Sequence, residues 1–177
     1  SSRSWIDPVE IIDAVLERAR ARLADHKIVL YIERDLPAVR VNADAVGEVV
    51  YTFIDNAANY SPAGSDIRIS ARRGDDETIV ITVEDKGPGI SPEVREKVFD
   101  KFFRGADQDI HTTGSGLGLG LAIARGIAES QGGTVRADDG EDGFTTRFVF
   151  QFPTWDDEPD AAADEKNGPS SEHARQA

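Results

Sequence analysis

The first amphipathic element of the chain is a stripe of apolar residues at alternating spacings of three and four. This spacing predicts a helix over about residues 8–25, because it places the whole stripe on one helical face. Asp7 and Pro8 precede the first turn, where an aspartate N-cap and a proline at the first helical position are favoured. The stripe consists of Val9, Ile12, Leu16, Ala19 and Leu23.

The rest of the chain alternates between helical and strand-like patterns. Two further helices are predicted over about residues 44–60 and 117–131, with a short helix after Ser91 and a polar, mobile loop at about 105–115. This order favours an α+β fold, in which three helices cover one face of a mixed, mostly antiparallel sheet of about five strands. The strands are predicted over about residues 28–33, 67–72, 78–83, 134–137 and 145–152.

Composition and charge exclude several classes of function. The 177 residues include 20 Lys and Arg against 33 Asp and Glu, a formal net charge of −13. This charge repels nucleic acid and anionic lipid, so we expect no nucleic-acid partner and no direct membrane contact. The absence of Cys excludes disulfides and thiolate zinc sites. Because the chain starts at Ser1 and contains no Met, we expect it to be a piece of a longer protein.

The end of the chain differs in composition from the rest. Residues 154–177 hold seven acids, two bases and almost no large apolar residue. Such a segment cannot bury enough apolar surface to fold, so it is predicted to be a disordered acidic tail. The remaining domain, residues 1–153, keeps a net charge of −8 once the −5 of the tail is removed from the total.

A polar stripe lies beside the apolar face of the helix predicted over 44–60. Asparagine is a poor residue in a helix interior, and an exposed stripe more often holds Glu, Lys, Arg or Gln. A carboxamide oxygen is a good ligand for Mg²⁺, which prefers oxygen donors and bridges to phosphate. The stripe therefore indicates a magnesium and phosphate site, with an ordinary solvated face as the alternative. Its members are Glu48, Thr52, Asn56, Asn59 and Tyr60.

Two glycine-containing segments suggest contacts with a nucleotide. Asp85 follows a strand and is succeeded by Gly87 and Gly89. An ionised aspartate can accept a hydrogen bond from a purine amino group, and the glycines allow the backbone to approach a flat ring, although a simple turn is the alternative. Four glycines alternate along residues 114–120 and lead into a helix, where backbone N–H groups can bind phosphate. Neither of the usual phosphate loops occurs, and neither does a Gly-x-Ser-x-Gly elbow.

Four segments together resemble the N, G1, F and G2 boxes of bacterial sensor histidine kinases, in the same order and at the same spacing. The catalytic, ATP-binding (HATPase_c) domain of that family is a Bergerat-type two-layer α/β sandwich, shared with gyrase, the Hsp90 chaperones and MutL. The resemblance implies this fold for residues 1–153, and three shorter segments (WIDP, DLP and SPAGS) are most similar to KdpD-type kinases. The four segments are DNAANYSP at 55–62, DKGPGI at 85–90, FDKFFR at 99–104 and GLGLGLAI at 116–123.

The resemblance implies a protein-histidine kinase that uses ATP and Mg²⁺. It assigns Asn56 to Mg²⁺, with Thr52 as a weaker second metal contact, and it assigns Asp85 to the adenine amino group. Lys101 and Arg104 would act with Asn56 in catalysis by neutralising the γ-phosphate. Phe99 and Phe102 of the F box would anchor the mobile loop. The other nucleotide-binding positions would be Asn59, Tyr60, Gly87, Gly89, Ile90, Phe99, Phe102, Gly116, Leu117, Gly118, Leu119 and Gly120.

The partners that the resemblance implies lie on other parts of a parent protein or on other chains. The γ-phosphate would pass to a histidine on a separate dimerisation domain of the same parent, and then to a cognate response regulator. The chain would be a cytoplasmic domain of a membrane-anchored sensor. His26, His111 and His173 do not stand in the phosphoacceptor setting of the family, so the chain is expected not to phosphorylate itself.

Two departures from the family pattern leave alternatives open. Thr52 stands where the family often has asparagine, and Asn59 stands where a lysine or arginine is common. These departures motivate a second hypothesis, a nucleotide-sensing pseudokinase domain. A serine kinase of the anti-sigma-factor type shares the fold and is a third, disfavoured by the aromatic segment at 99–104.

Overall fold

A computed structural model describes residues 3–103 and 119–155 of the chain. The helices are α1 (Pro8–Arg18), α2 (Ala43–Tyr60) and α3 (Gly120–Ser130), and two 3₁₀ turns span Pro92–Val94 and Lys97–Phe99. The strands are β1 (Ser4–Ile6), β2 (Lys27–Ile32), β3 (Val39–Val41), β4 (Asp66–Arg73), β5 (Thr78–Asp85), β6 (Thr134–Asp139) and β7 (Thr146–Pro153).

The main sheet has five strands in the order β2-β4-β5-β7-β6. Only β2 and β4 run parallel, and the other neighbours are antiparallel. Together with the three helices, this confirms the predicted α+β sandwich. The chain also forms a two-stranded sheet from β1 and β3 that the sequence pattern did not predict, because three residues are too few to show a period.

The core lies between the helices and one face of the sheet. Phe53 of α2 stacks on Phe148 of β7 with ring centroids 5.2 Å apart, and Phe99 meets Phe148 edge-on at 6.1 Å. These contacts fix α2 against the middle of the sheet. The polar stripe of α2 is thereby held beside the end of β5.

The first helix is shorter than its apolar stripe. Asp7 caps it as predicted, accepting a hydrogen bond from Val9 N–H at 2.9 Å, but the helix ends at Arg18 rather than near residue 25. Ala19 and Leu23 remain buried in hydrogen-bonded turns that continue from the helix. The spacing of the apolar residues therefore marks which residues are buried, and the buried residues continue beyond the end of the regular helix.

Some sequence predictions concern residues outside the described ranges. The glycine-rich segment up to Gly118 and the acidic tail from residue 156 onward both lie there. The boundary proposed at residue 154 therefore stays a prediction. Within residues 3–103 and 119–155, no helix is long and apolar enough to cross a membrane.

Candidate functional site

Asp85 is the last residue of β5, the central strand of the sheet, and its side chain is buried at 3% exposure. One carboxylate oxygen, Oδ1, accepts a hydrogen bond from Gly87 N–H at 2.8 Å. Burial raises the pKa of Asp85 from 3.8 to about 6, and the Gly87 bond offsets this in part. Asp85 is therefore mostly ionised at neutral pH, although its carboxylate is poorly solvated.

The start of β7 holds the turn after Asp85 in place. Thr145 donates its backbone N–H to the Asp85 carbonyl at 2.8 Å and its hydroxyl to the Gly87 carbonyl at 2.6 Å. Thr146 is buried and lies opposite Asp85 in the β5–β7 register, so both side chains point to the same face. Neither threonine is among the predicted site residues, although a Thr-Thr pair before an apolar strand is a signal that could have identified them.

Two glycines give the turn its shape. A Cβ at Gly87 would lie 2.8 Å from the Tyr60 carbonyl oxygen, which is too close for any other residue without a shift of the backbone. Gly89 has a φ of +80°, a conformation that residues with a side chain rarely adopt. The close approach brings the end of α2, with the half-buried Tyr60, against the end of β5, and Ile90 packs against the core just beyond.

The polar stripe of α2 lies beside the start of α3. Asn56 is half-buried, and the Thr52 hydroxyl donates to the Glu48 carbonyl at 2.9 Å, which leaves its oxygen lone pairs as acceptors. A Cβ at Gly120, the first residue of α3, would lie 3.8 Å from a methyl group of Thr52, and Leu119 is the N-cap residue of α3. The stripe and the N-terminus of α3 are therefore neighbours, as a phosphate site needs.

Asn59 has a partner that the sequence pattern did not reveal. Its side-chain oxygen accepts a hydrogen bond from Arg22, which also donates to Asp55 at 2.9 Å. Arg22 lies in the turns after α1, 37 residues before Asn59 in the chain. Nothing in the spacing within α2 predicts this contact.

The F-box residues separate into buried and exposed members. Phe99 is buried in the core, whereas Phe102 is 65% exposed with a φ of +63°. The loop that these rings are expected to anchor lies outside the described residues, so its anchoring stays a prediction. Lys101 is exposed next to Phe102. The four remaining predicted positions, Arg104, Gly116, Leu117 and Gly118, lie outside the described residues.

The donor set suits Mg²⁺ that is shared with phosphates. No group of three or more His, Cys, Asp or Glu side chains able to hold a metal occurs in the described part of the chain. Mg²⁺ commonly takes only one or two protein ligands and completes its shell with water and substrate phosphates. The half-buried carboxamide of Asn56 fits this use and would not suffice alone.

Comparison with known proteins decides the family. Residues 41–156 match the protein family described as "Histidine kinase-, DNA gyrase B-, and HSP90-like ATPase". The chain belongs to this family of ATPases. Among curated relatives, it is 35% identical over 136 residues to the signal transduction histidine-protein kinase/phosphatase MprB of Mycobacterium ulcerans, covering 76% of this chain. It is 31% identical over 144 residues to the sensor protein KdpD of Clostridium acetobutylicum, covering 81% of this chain.

The matches cover small parts of these relatives. The chain spans 25% of the MprB sequence and 16% of the KdpD sequence. Among solved structures, full-length ShkA in complex with AMPPNP matches with a TM-score of 0.72 and 27% identity, over 86% of this chain and 31% of that one. The predicted family and its two-layer fold are thus confirmed, and this ATPase domain is the catalytic domain of histidine kinases.

Replacing Asp85 with Asn would remove the buried charge and keep an acceptor for Gly87 N–H. Because the folded-state pKa is raised to about 6, the ionised wild-type carboxylate costs up to about 3 kcal/mol of stability above pH 6. Asp85→Asn is expected to raise the free energy of unfolding by up to that amount at neutral pH. The gain should shrink as the pH falls below 6 and be nearly gone at about pH 3, where the carboxyl is mostly protonated in both the folded and the unfolded state.

Urea denaturation of both proteins across this pH range measures the difference. Asp13→Asn, on the exposed face of α1, is the matched control and should change stability by less than about 0.5 kcal/mol. A stability change for Asp85→Asn that is the same at every pH would contradict the assignment of a buried charge.

Proposed function

We propose that this chain binds Mg-ATP and donates the γ-phosphate to a histidine on a separate dimerisation domain of the same parent protein. A cognate response regulator would then receive the phosphate. The observation that carries this proposal is the buried carboxylate of Asp85 at the end of the central strand. Such a group is costly to bury unless a ligand brings hydrogen-bond donors to it.

The adenine end of the site follows from the surroundings of Asp85. An ionised carboxylate only accepts hydrogen bonds, and the exocyclic amino group of adenine donates them. With Oδ1 bonded to Gly87 N–H, the other oxygen is suited to the amino group. Gly87, Gly89 and Ile90 would shape the pocket, Thr146 would lie beside it, and Tyr60 would contact the base or sugar.

The phosphate end of the site follows from α2 and the start of α3. Asn56 would hold Mg²⁺, and Thr52 would bind through a water on the metal. When bound, Mg²⁺ neutralises phosphate charge and aligns the terminal phosphate. The N–H groups at the α3 N-terminus, near Leu119 and Gly120, favour an anion at the same place. Lys101 and Arg104 would add positive charge at the γ-phosphate.

Transfer itself would require positioning more than covalent chemistry. Phosphoryl transfer depends mainly on holding donor and acceptor in line and on neutralising charge, so the chain needs no nucleophile of its own. The relatives support the donor role: MprB carries the name histidine-protein kinase/phosphatase, and ShkA was solved with AMPPNP, an ATP analogue. We place the chain on the cytoplasmic side of a membrane-anchored sensor, where ATP is available.

Asp85→Ala and Asn56→Ala test the two ends of the site separately. Wild-type protein is expected to bind Mg-ATP in the micromolar range. Loss of a hydrogen bond to a charged group should weaken binding about 10- to 100-fold for Asp85→Ala, and about tenfold or more for Asn56→Ala. Isothermal titration calorimetry measures both, with Asp13→Ala on α1 as a control that should bind normally. Wild-type affinity in either site variant would refute that assignment.

A transfer assay separates a kinase from a nucleotide-sensing pseudokinase. The chain is mixed with the separately prepared dimerisation domain of its parent and with γ-labelled ATP. A kinase is expected to place label on the acceptor histidine, and replacement of that histidine by alanine should abolish the label. Tight ATP binding without any transfer would favour the pseudokinase, and label on a serine would favour the serine kinase.

A further inference from the structure

Arg22 lies in the turns that follow α1, and its guanidinium crosses to the polar stripe of α2. Its Nε donates to Asp55 Oδ1 at 2.9 Å, and its Nη2 donates to Asn59 Oδ1. The Arg22 side chain is 45% exposed, so these bonds hold one edge of the guanidinium while another part meets solvent. The two bonds fix the guanidinium at the C-terminal end of the stripe, where the ion pair with Asp55 offsets part of its charge.

The position of this charge relative to Asn56 follows from helix geometry. Asn59 stands three residues after Asn56, and residues at this spacing are neighbours on a helix surface, about 5–6 Å apart at Cβ. Asn56 is the residue to which we assign Mg²⁺ and the phosphates. Arg22 therefore lies next to Asn59, the helix-surface neighbour of the residue that we assign to the phosphate end of the site.

The stripe has no positive charge of its own. The sequence of α2, residues 43–60, contains neither Lys nor Arg, while the whole chain carries a net charge of −13. A nucleoside triphosphate with bound Mg²⁺ is still an anion, and its binding to an acidic surface requires local positive charge. A positively charged side chain that contacts the phosphates from the side of α2 therefore has to come from another part of the chain.

A purely structural role explains Arg22 poorly. An exposed ion pair such as that of Arg22 with Asp55 contributes about 0–1 kcal/mol to stability. The ion pair between Arg18 and Glu48 already joins α1 to α2 one turn earlier. Arg22 differs from Arg18 because it also bonds an asparagine amide on the polar stripe.

We propose that Arg22 binds the outer phosphates of the nucleotide, supplying from outside α2 the positive charge that α2 lacks at Asn59. This inference rests on the proposed function above. Asp55 and Asn59 engage the edge formed by Nε and Nη2. The edge formed by Nη1 and Nη2 carries N–H donors that fit two phosphate oxygens. Asp55 and Asn59 thus orient the guanidinium before the ligand arrives.

The test compares nucleotides with and without outer phosphates. Arg22→Ala is expected to weaken Mg-ATP binding about tenfold and to leave AMP binding unchanged, because only ATP presents β- and γ-phosphates. Arg18→Ala removes the neighbouring ion pair and should bind both nucleotides like the wild type. The double variant Arg22→Ala with Asn59→Lys moves the positive charge onto α2 and should recover most of the ATP affinity. Isothermal titration calorimetry gives all the affinities.

Thermal unfolding of each variant is recorded alongside, and Arg22→Gln replaces Arg22→Ala in the comparison should the latter fail to fold. Wild-type ATP affinity in Arg22→Ala or Arg22→Gln would overturn the proposal, and so would an equal loss of ATP and AMP binding. If Asp85→Ala weakens ATP binding as expected while the Arg22 variants bind normally, the proposed function stands and only the role of Arg22 is lost. If Asp85→Ala also binds ATP normally, the site itself is misplaced.

Discussion

The buried carboxylate of Asp85 is the constraint on which the candidate site depends. It stands at the end of β5, which has β4 on one side and β7 on the other, so the neighbouring strands exclude water from it. A charge in this position is costly, and its pKa is raised for that reason. The fold supplies one donor, Gly87 N–H, and the carboxylate retains acceptor capacity for a ligand.

The rest of the fold brings the proposed phosphate site to the same end of the sheet. Stacking of Phe53 on Phe148 fixes α2 across the sheet, and the close approach of Gly87 to the Tyr60 carbonyl joins the end of α2 to the turn after Asp85. Asn56 lies one turn earlier on α2, beside the start of α3. The carboxylate that we propose for the base and the helix face that we propose for the phosphates are thus held by one packed core.

Local sequence patterns predicted the main elements and singled out Asp85, Asn56 and Gly87, which the fold brings to one end of the sheet, because apolar periods and glycine-flanked motifs act over a few residues. The pattern did not predict contacts between residues far apart in the chain. The bond between Arg22 and Asn59 is one such contact, and the opposition of Thr146 and Asp85 is another. Strands of three residues, such as β1, are also too short to show a period. The exposure of Phe102 depends on local backbone conformation, which its residue type does not specify.

The most direct test of the account is the titration of Asp85 itself, followed by the ¹³C chemical shift of its carboxyl group in NMR spectra. In the free domain, the pKa of Asp85 is expected to be about 6. Addition of Mg-ADP should lower this pKa, because hydrogen bonds from the adenine amino group stabilise the ionised form. An ordinary aspartate pKa near 4 that does not respond to Mg-ADP would contradict the central claim.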